Sequence, residues 1–279
     1  MKKSFLLGLF ILAIMLSRPL LAQEQETEAQ PEENKTTSKK VLQYHDDGAK
    51  KVEGQLIDNK RDGVWTEWYE DGTKKSEKEY KEGKRNGLWK EWYDNGSPKS
   101  DSEYQDDKRS GRRIEWYYSG QKKLRQRYRD GIPEGVRTEW DEYGNTTRTI
   151  GYYANGDQKY EIQYEYTREG TLKTQTEWFE NGNKRVEVRM KNDIKDGDYK
   201  EWFEDGVLSI ETQFKEGKED GLHRDYYQDG SLRMEIEMTA GKKNGLCTLW
   251  NQEGLKQWIK VYQDGQYVRS LNIYQQDLP

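Results

Sequence analysis

A chain of 279 residues could hold one or two globular domains, yet Leu, Ile, Val and Phe together number only 46, too few for a conventional aliphatic core. With ten Trp, twenty Tyr and five Phe it is too aromatic for a disordered chain. A net charge of −5 argues against general nucleic-acid binding, and the single cysteine, Cys247, excludes an internal disulfide or a cysteine-based zinc site.

In chain order, Met1-Lys2-Lys3 is a short basic start, Phe5 to Leu16 is an apolar run, and Ser17 to Ala22 ends in a small residue. That order reads as a signal peptide over 1–22, which places the mature protein in the periplasm or outside the cell. The apolar run is shorter than the ~20 residues a spanning helix needs, so no stable transmembrane anchor is expected. Removing Lys2, Lys3 and Arg18 leaves 44 basic against 52 acidic residues, a mature charge of −8. Residues 23–40 carry charge, Pro31 and no aromatic side chain, and are expected to form a disordered leader.

From residue 41 the chain repeats. Glycines recur every 24 positions at 48, 72, 96, 120 and 144, and again at 182, 206, 230 and 254. A second set with the same step stands at 63, 87, 111 and 135, then at 197, 221 and 245. An aromatic stands four residues before each glycine of the first set: Tyr44, Trp68, Trp92, Trp116, Trp140, Trp178, Trp202, Tyr226 and Trp250. Between 144 and 182 the glycines step by 12, 14 and 12, through Gly156 and Gly170. A half-period that can stand alone implies two strands and two turns per unit. Asp71-Gly72, Asn95-Gly96, Asn155-Gly156, Asn181-Gly182, Asp205-Gly206 and Asp229-Gly230 are hairpin turns, with the glycine free to take positive φ. Three-residue loops are expected there, a type I turn followed by a left-handed glycine.

The expected fold is therefore all-β, an elongated meander of antiparallel β-hairpins with a 24-residue period. Repeats should cover 41–144 and 183–265, with irregular half-repeats at 145–182, where the sheet should bend or change twist, and a C-terminal strand and tail at 266–279. If Glu70-Asp71-Gly72 form the loop, Trp68 faces Lys74, Glu67 faces Lys75 and Thr66 faces Ser76. One face then holds Val64, Thr66 and Trp68 with Ser76, Lys78 and Tyr80, and forms the core together with the residues eight after each turn glycine. The opposite face holds Trp65, Glu67 and Tyr69, with Glu91–Lys99, Glu115–Lys123 and Glu177–Arg185 paired across strands. A slip of one residue would exchange the faces.

Neither metal nor cofactor chemistry is indicated. His45 and His223 are isolated, and no Asp-x-Asp-x-Asp-Gly calcium loop accompanies the turns. Successive glutamates at 67, 91, 115, 139, 177 and 201 would stand about 10 Å apart, too far for a carboxylate dyad sharing a proton. Cys247 stands where early repeats have Trp and is expected to be a packed side chain. No enzyme is expected. An aromatic stripe interleaved with charge resembles a binding surface. Its members, the candidate contacts for a partner, are Trp65, Tyr69, Trp89, Tyr93, Tyr117, Phe179, Phe203 and Tyr227. A tyrosine at each repeat could equally cover turn backbone.

Gly63-Val64-Trp65-Thr66-Glu67-Trp68-Tyr69-Glu70-Asp71-Gly72 and its copies, with Lys81-Glu82-Gly83-Lys84 before the next unit, resemble the bacterial variant of the MORN (membrane occupation and recognition nexus) repeat. The resemblance covers about residues 41 to 265 and extends to the family of YwqK-type antitoxins. It implies an elongated hairpin scaffold that works by binding, and the antitoxin family implies neutralising a toxin. The expected function is a non-catalytic exported scaffold that binds a protein partner through a sheet face or edge. A cell-wall or glycan-binding module using the tyrosine stripe and a toxin-neutralising protein are the alternatives.

Overall fold

A computed structural model describes residues 36–273. The signal peptide and most of the expected leader lie outside the described residues. The described chain forms one open antiparallel sheet of 21 strands in chain order. The first part is β1 (Ser38–Tyr44), β2 (Lys50–Ile57), β3 (Lys60–Trp68), β4 (Lys74–Lys81), β5 (Lys84–Trp92), β6 (Pro98–Gln105), β7 (Lys108–Trp116), β8 (Lys122–Arg129) and β9 (Ile132–Trp140). The middle is β10 (Thr146–Tyr152), β11 (Gln158–Thr167) and β12 (Gly170–Trp178). The rest is β13 (Lys184–Lys191), β14 (Ile194–Trp202), β15 (Leu208–Lys215), β16 (Lys218–Glu219), β17 (Gly221–Tyr226), β18 (Leu232–Thr239), β19 (Lys242–Trp250), β20 (Lys256–Gln263) and β21 (Gln266–Leu271). The β1 strand begins at Ser38, inside the stretch expected to be leader.

The glycine-bearing turns form as the spacing predicts. In the turn after β3, Gly72 N–H donates to Tyr69 O (3.0 Å) and Tyr69 N–H donates to Thr73 O (2.8 Å), closing a three-residue loop on Glu70-Asp71-Gly72. Gly72 takes φ 82°, a conformation glycine adopts without steric cost. Asp71 Oδ1 accepts from Thr73 N–H at 2.8 Å, an Asx turn that holds the loop shut. The second connections are two-residue hairpins such as Glu82-Gly83, at φ 51° and 86°, the mirror-image turn whose twist matches the strands.

The register agrees with expectation only as far as Trp68 opposite Lys74. A β-bulge follows, so that Glu67 faces Ser76, Thr66 faces Glu77 and Trp65 faces Lys78, with Lys75 as the extra residue. The first strand of each hairpin is thereby turned over relative to the expected core. Trp65 and Glu67 join Ser76, Lys78 and Tyr80, whereas Val64 and Thr66 look the other way. Trp65 is 7% exposed and Val64 is 48% exposed. Glu91 and Glu115 accordingly face Ser100 and Leu124 in place of Lys99 and Lys123. The Glu177–Arg185 ion pair does form, diagonally.

The half-repeats leave the sheet continuous but reverse the motif. Two three-residue turns follow one another around β10, at positions 141–145 and 153–157, so β10 is the second strand of one hairpin and the first of the next. An odd strand has been inserted. Residues paired across antiparallel strands share a face, so the consequence can be traced through the register. Thr66, Glu77, Lys90, Asp101, Ile114, Arg125, Thr138, Thr149, Ile162, Gln175, Val188, Tyr199 and Thr212 form one unbroken row. The row starts at Thr66 and Glu77, on the face away from Trp65, and ends at Tyr199, the equivalent of Trp65, and Thr212 across from it. In the first half, one face holds the aromatic pillars; in the second half, that same face carries the ladder Glu187–Lys200–Glu211–Arg224–Glu235. The three-residue turns change sheet margin at the same point.

With no second layer among the described residues, the core consists of side chains shielded by their neighbours on the sheet, and it changes face at the reversal. Ser76, Leu124, Gln126 and Ile150 are buried on one face, and Val188, Thr212, Ile236 and Cys247 on the other. Cys247 is fully buried, as the packing reading expects, and burial raises its thiol pKa.

Candidate interaction surface

The three-residue turns carry most of the expected aromatic stripe, with Tyr69, Tyr93 and Tyr117 on one margin of the sheet and Phe179, Phe203 and Tyr227 on the other. Tyr69 O–H donates to Trp92 O (2.9 Å), Tyr93 O–H to Trp116 O (2.9 Å), Tyr117 O–H to Trp140 O (2.8 Å) and Tyr227 O–H to Trp250 O (2.8 Å). Each bond runs from one three-residue turn to the last strand residue before the corresponding turn of the next hairpin. Tyr153, which the half-repeat spacing places at the same position, does this too, donating to Trp178 O at 2.7 Å. Burial and the nearby carboxylates Asp94 and Glu91 raise the pKa of Tyr69, and burial with Glu142 and Asp141 does so for Tyr117, so both hydroxyls keep their protons.

The bulge residue completes the arrangement. Lys75, Lys99, Lys123 and Lys159 lie over the rings of Tyr69, Tyr93, Tyr117 and Tyr153 at 5.4 to 5.7 Å from the centroids. Hydroxyl and one ring face are therefore engaged within the protein, and the stripe offers no row of open stacking platforms. Phe179 and Phe203 have no hydroxyl to donate. Beside Phe179, Asn181 Nδ2 and Asn183 Nδ2 reach Glu204 O of the next turn at 2.7 and 2.9 Å.

Trp65 and Trp89 do not belong to these margins. They stand on the motif face, where Trp65 Nε1–H donates to Gln55 O (3.2 Å) and Trp89 Nε1–H to Glu79 O (2.9 Å). The Trp65 ring lies directly on Gly54, where a Cβ would come within 2.3 Å of it. With Tyr80 and Tyr104 they form a continuous ladder, Trp65–Tyr80–Trp89–Tyr104, with centroids 6.5, 5.2 and 5.1 Å apart. Arg61 and Arg85 stack against it. The eight expected contact residues are thus divided between the two turn-bearing margins and a packed face.

The bulge that decides this division has a weak sequence signal, since Lys75, Lys99 and Lys123 look like ordinary strand residues. The repeat pattern pointed to a sheet edge but gave no residues for it. Each outer strand, β1 and β21, pairs on one side only among the described residues. Along β21, Gln266 to Ser270 are exposed, with Tyr267 at 55% and Val268 at 51%. In contrast, β1 carries Lys39 and Lys40, charges that discourage pairing at an edge.

Two part-buried clusters elsewhere are internally paired. Arg148 grips Glu161 through two bonds of 2.8 and 2.9 Å, and Gln158 and Gln163 donate to the same carboxylate. His223 Nε2 lies 2.9 Å from Asp225 Oδ1, and Arg233 donates to the other oxygen at 2.8 Å. No group of three or more His, Cys, Asp or Glu side chains suited to holding a metal occurs among the described residues.

No curated protein matches the chain. A family model does match, that of the MORN repeat variant, at residues 61–82, 85–106 and 195–216. Each match covers one hairpin, β3–β4, β5–β6 and β14–β15, and the matches lie on both sides of the reversal. The chain is a β-hairpin repeat protein containing MORN-variant repeats.

Proposed function

We propose that this protein is a non-catalytic scaffold, exported through residues 1–22, that binds a protein partner by accepting an extended strand at the β21 edge. The observation that carries this reading is the exposed, singly paired β21 strand with Tyr267 and Val268 uncovered. An added strand would satisfy free backbone N–H and C=O groups, and alternate side chains would supply selectivity. The turn tyrosines are a poorer contact surface because their hydroxyls, and one ring face of Tyr69, Tyr93, Tyr117 and Tyr153, are already engaged. Toxin neutralisation, which the antitoxin resemblance implies, would use the same edge on a cytoplasmic partner.

Two measurements test the proposal. Cell fractionation with mass spectrometry of the N-terminus should find Gln23 as the first residue in periplasm or medium. An intact Met1 in the cytoplasm would overturn export and favour the toxin-binding role. Cross-linking of the full chain and its Tyr267→Lys/Val268→Lys variant in that fraction should show a protein adduct that the variant loses while keeping its circular dichroism. An adduct of equal yield in both would place binding elsewhere.

A further inference from the structure

On the motif face of each hairpin, the residues four and six after the turn glycine lie across from the strand that carries the position of Trp65. Most hairpins fill at least one of these sites with a long or branched side chain: Ser76 with Lys78, Leu124 with Gln126, Val186 with Val188, Met234 with Ile236. On β6 both are serines, Ser100 and Ser102, and across from them Arg113 occupies the position that Trp65 and Trp89 hold in earlier repeats. The result is a depression of about 230 Å³ with the serines as its floor, walled by Trp89 and Tyr104 and by Arg109 and Arg113.

Its polar groups are unevenly satisfied. Ser102 is 9% exposed, and its hydroxyl has no hydrogen-bond partner among the described residues. Arg109 is held between the rings of Tyr104 (5.9 Å) and Tyr128 (5.5 Å), and its Nε is buried without an acceptor. The two carboxylates at the site are already neutralised, Glu91 by Lys78 at 3.1 Å and Glu115 by Arg113. Among the described residues at the site, Arg109 is therefore the cation left without an anion, beside hydroxyls and carboxylate oxygens able to bind hydroxyl groups. Trp89 is covered by Tyr80, Tyr104 and Lys78, so recognition here rests on hydrogen bonds more than on stacking.

We propose that this depression binds one sugar-acid residue, its carboxylate on Arg109 and its hydroxyls on Ser100, Ser102 and the carboxylates of Glu91 and Glu115. A simple carboxylate would use only Arg109, and a neutral sugar would leave Arg109 unpaired. The volume lies below the roughly 300–1,000 Å³ of pockets for drug-sized ligands, which limits the occupant to about a single ring. The site stands on the sheet face and is independent of strand addition at β21.

The test is titration of the full chain with sodium glucuronate, glucose and sodium acetate, followed through the tryptophan indole N–H signals by NMR. Glucuronate should bind with a Kd of about 1 mM, equivalent to roughly four net hydrogen bonds, and glucose and acetate at least tenfold more weakly. The key variant is Ser102→Ile, because Ile150 and Ile236 occupy the equivalent position and are buried there. It should keep or raise the urea midpoint while weakening glucuronate binding at least tenfold. Arg109→Gln should remove the preference for glucuronate over glucose. Tighter binding of a uronate oligosaccharide would identify a polymer as the source, and equal binding the free sugar acid. No saturable shift with glucuronate, an equal response to glucose, or undiminished binding by a folded Ser102→Ile protein would overturn the proposal.

Discussion

The tyrosine hydroxyls at the turn margins satisfy carbonyls that a phenylalanine could not reach. Replacing Tyr117 by Phe leaves the Trp140 carbonyl without its 2.8 Å donor, and should cost about 0.5–1.5 kcal/mol in urea unfolding. The same change at Tyr143, which is 90% exposed, should cost nothing measurable. Two buried ionisable groups give stability of opposite pH dependence. Burial works against the Glu161 carboxylate, yet bonds from Arg148, Gln163 and Gln158 hold its pKa at about 2. Its folded pKa is depressed, so its contribution is present above the unfolded value near 4.3 and disappears as pH falls towards 2. The urea midpoint of the wild type should drop over that range, and that of Glu161→Gln should drop less. His223 has the opposite sign. Its bond to Asp225 raises its pKa against the opposing effect of burial, so its contribution is complete below about 6.5 and is lost as pH rises through the folded value. His223→Gln should abolish this alkaline loss.

At the scale of the hairpin, the two kinds of turn place different demands on sequence. The three-residue loops have glycine where positive φ is required. The two-residue loops other than 168–169 take positive φ at both residues, and at 240 the chain supplies alanine, at φ 49°. A Cβ residue other than Asn or Asp in that region costs roughly 1–2 kcal/mol. Ala240→Asn should therefore raise stability by up to about 1 kcal/mol, read as a higher midpoint with unchanged m-value; a lower midpoint would show that the turn is not strained. The three-residue loops were legible from Asp71-Gly72 and its copies because glycine spacing and turn chemistry are local. The bulge beside them was not. It arises where the chain leaves the loop, with Lys75 set aside over the Tyr69 ring, and a lysine in a strand carries no mark of that geometry. One residue of slip exchanged the faces of every first strand, which is why Trp65 and Trp89 were expected on a contact surface and are found packed.

For the sheet as a whole, parity is the controlling property. A unit of two strands returns each motif to the same face and margin; the single extra strand at β10 does not. Deleting Asp157–Gly170 would restore a 24-residue step between Gly144 and Gly182 and put Ala154-Asn155, 10 and 11 residues after Gly144, at the two-residue turn. The turns at Ser119 and Glu180, on opposite margins in the wild type, should then share one. Spin labels at these positions should come closer in the deletion variant, since a strand of eight residues spans about 26 Å. An unchanged distance would mean that the reversal does not depend on the odd strand. Because repeats contact mainly their neighbours, the stability of such a variant should fall by about the contribution of one strand, without loss of the fold.

Glycine and aromatic spacing alone determined the class of fold, the number of residues per hairpin, the position of every three-residue turn and the irregular middle, because these depend on backbone conformation over a few consecutive residues. Tertiary structure decided the rest: which face is packed, which tyrosines are engaged by neighbouring carbonyls, and where two serines leave a hollow. Those outcomes depend on register between strands, and register is set by bulges and by strand parity, neither of which any single segment of the chain encodes.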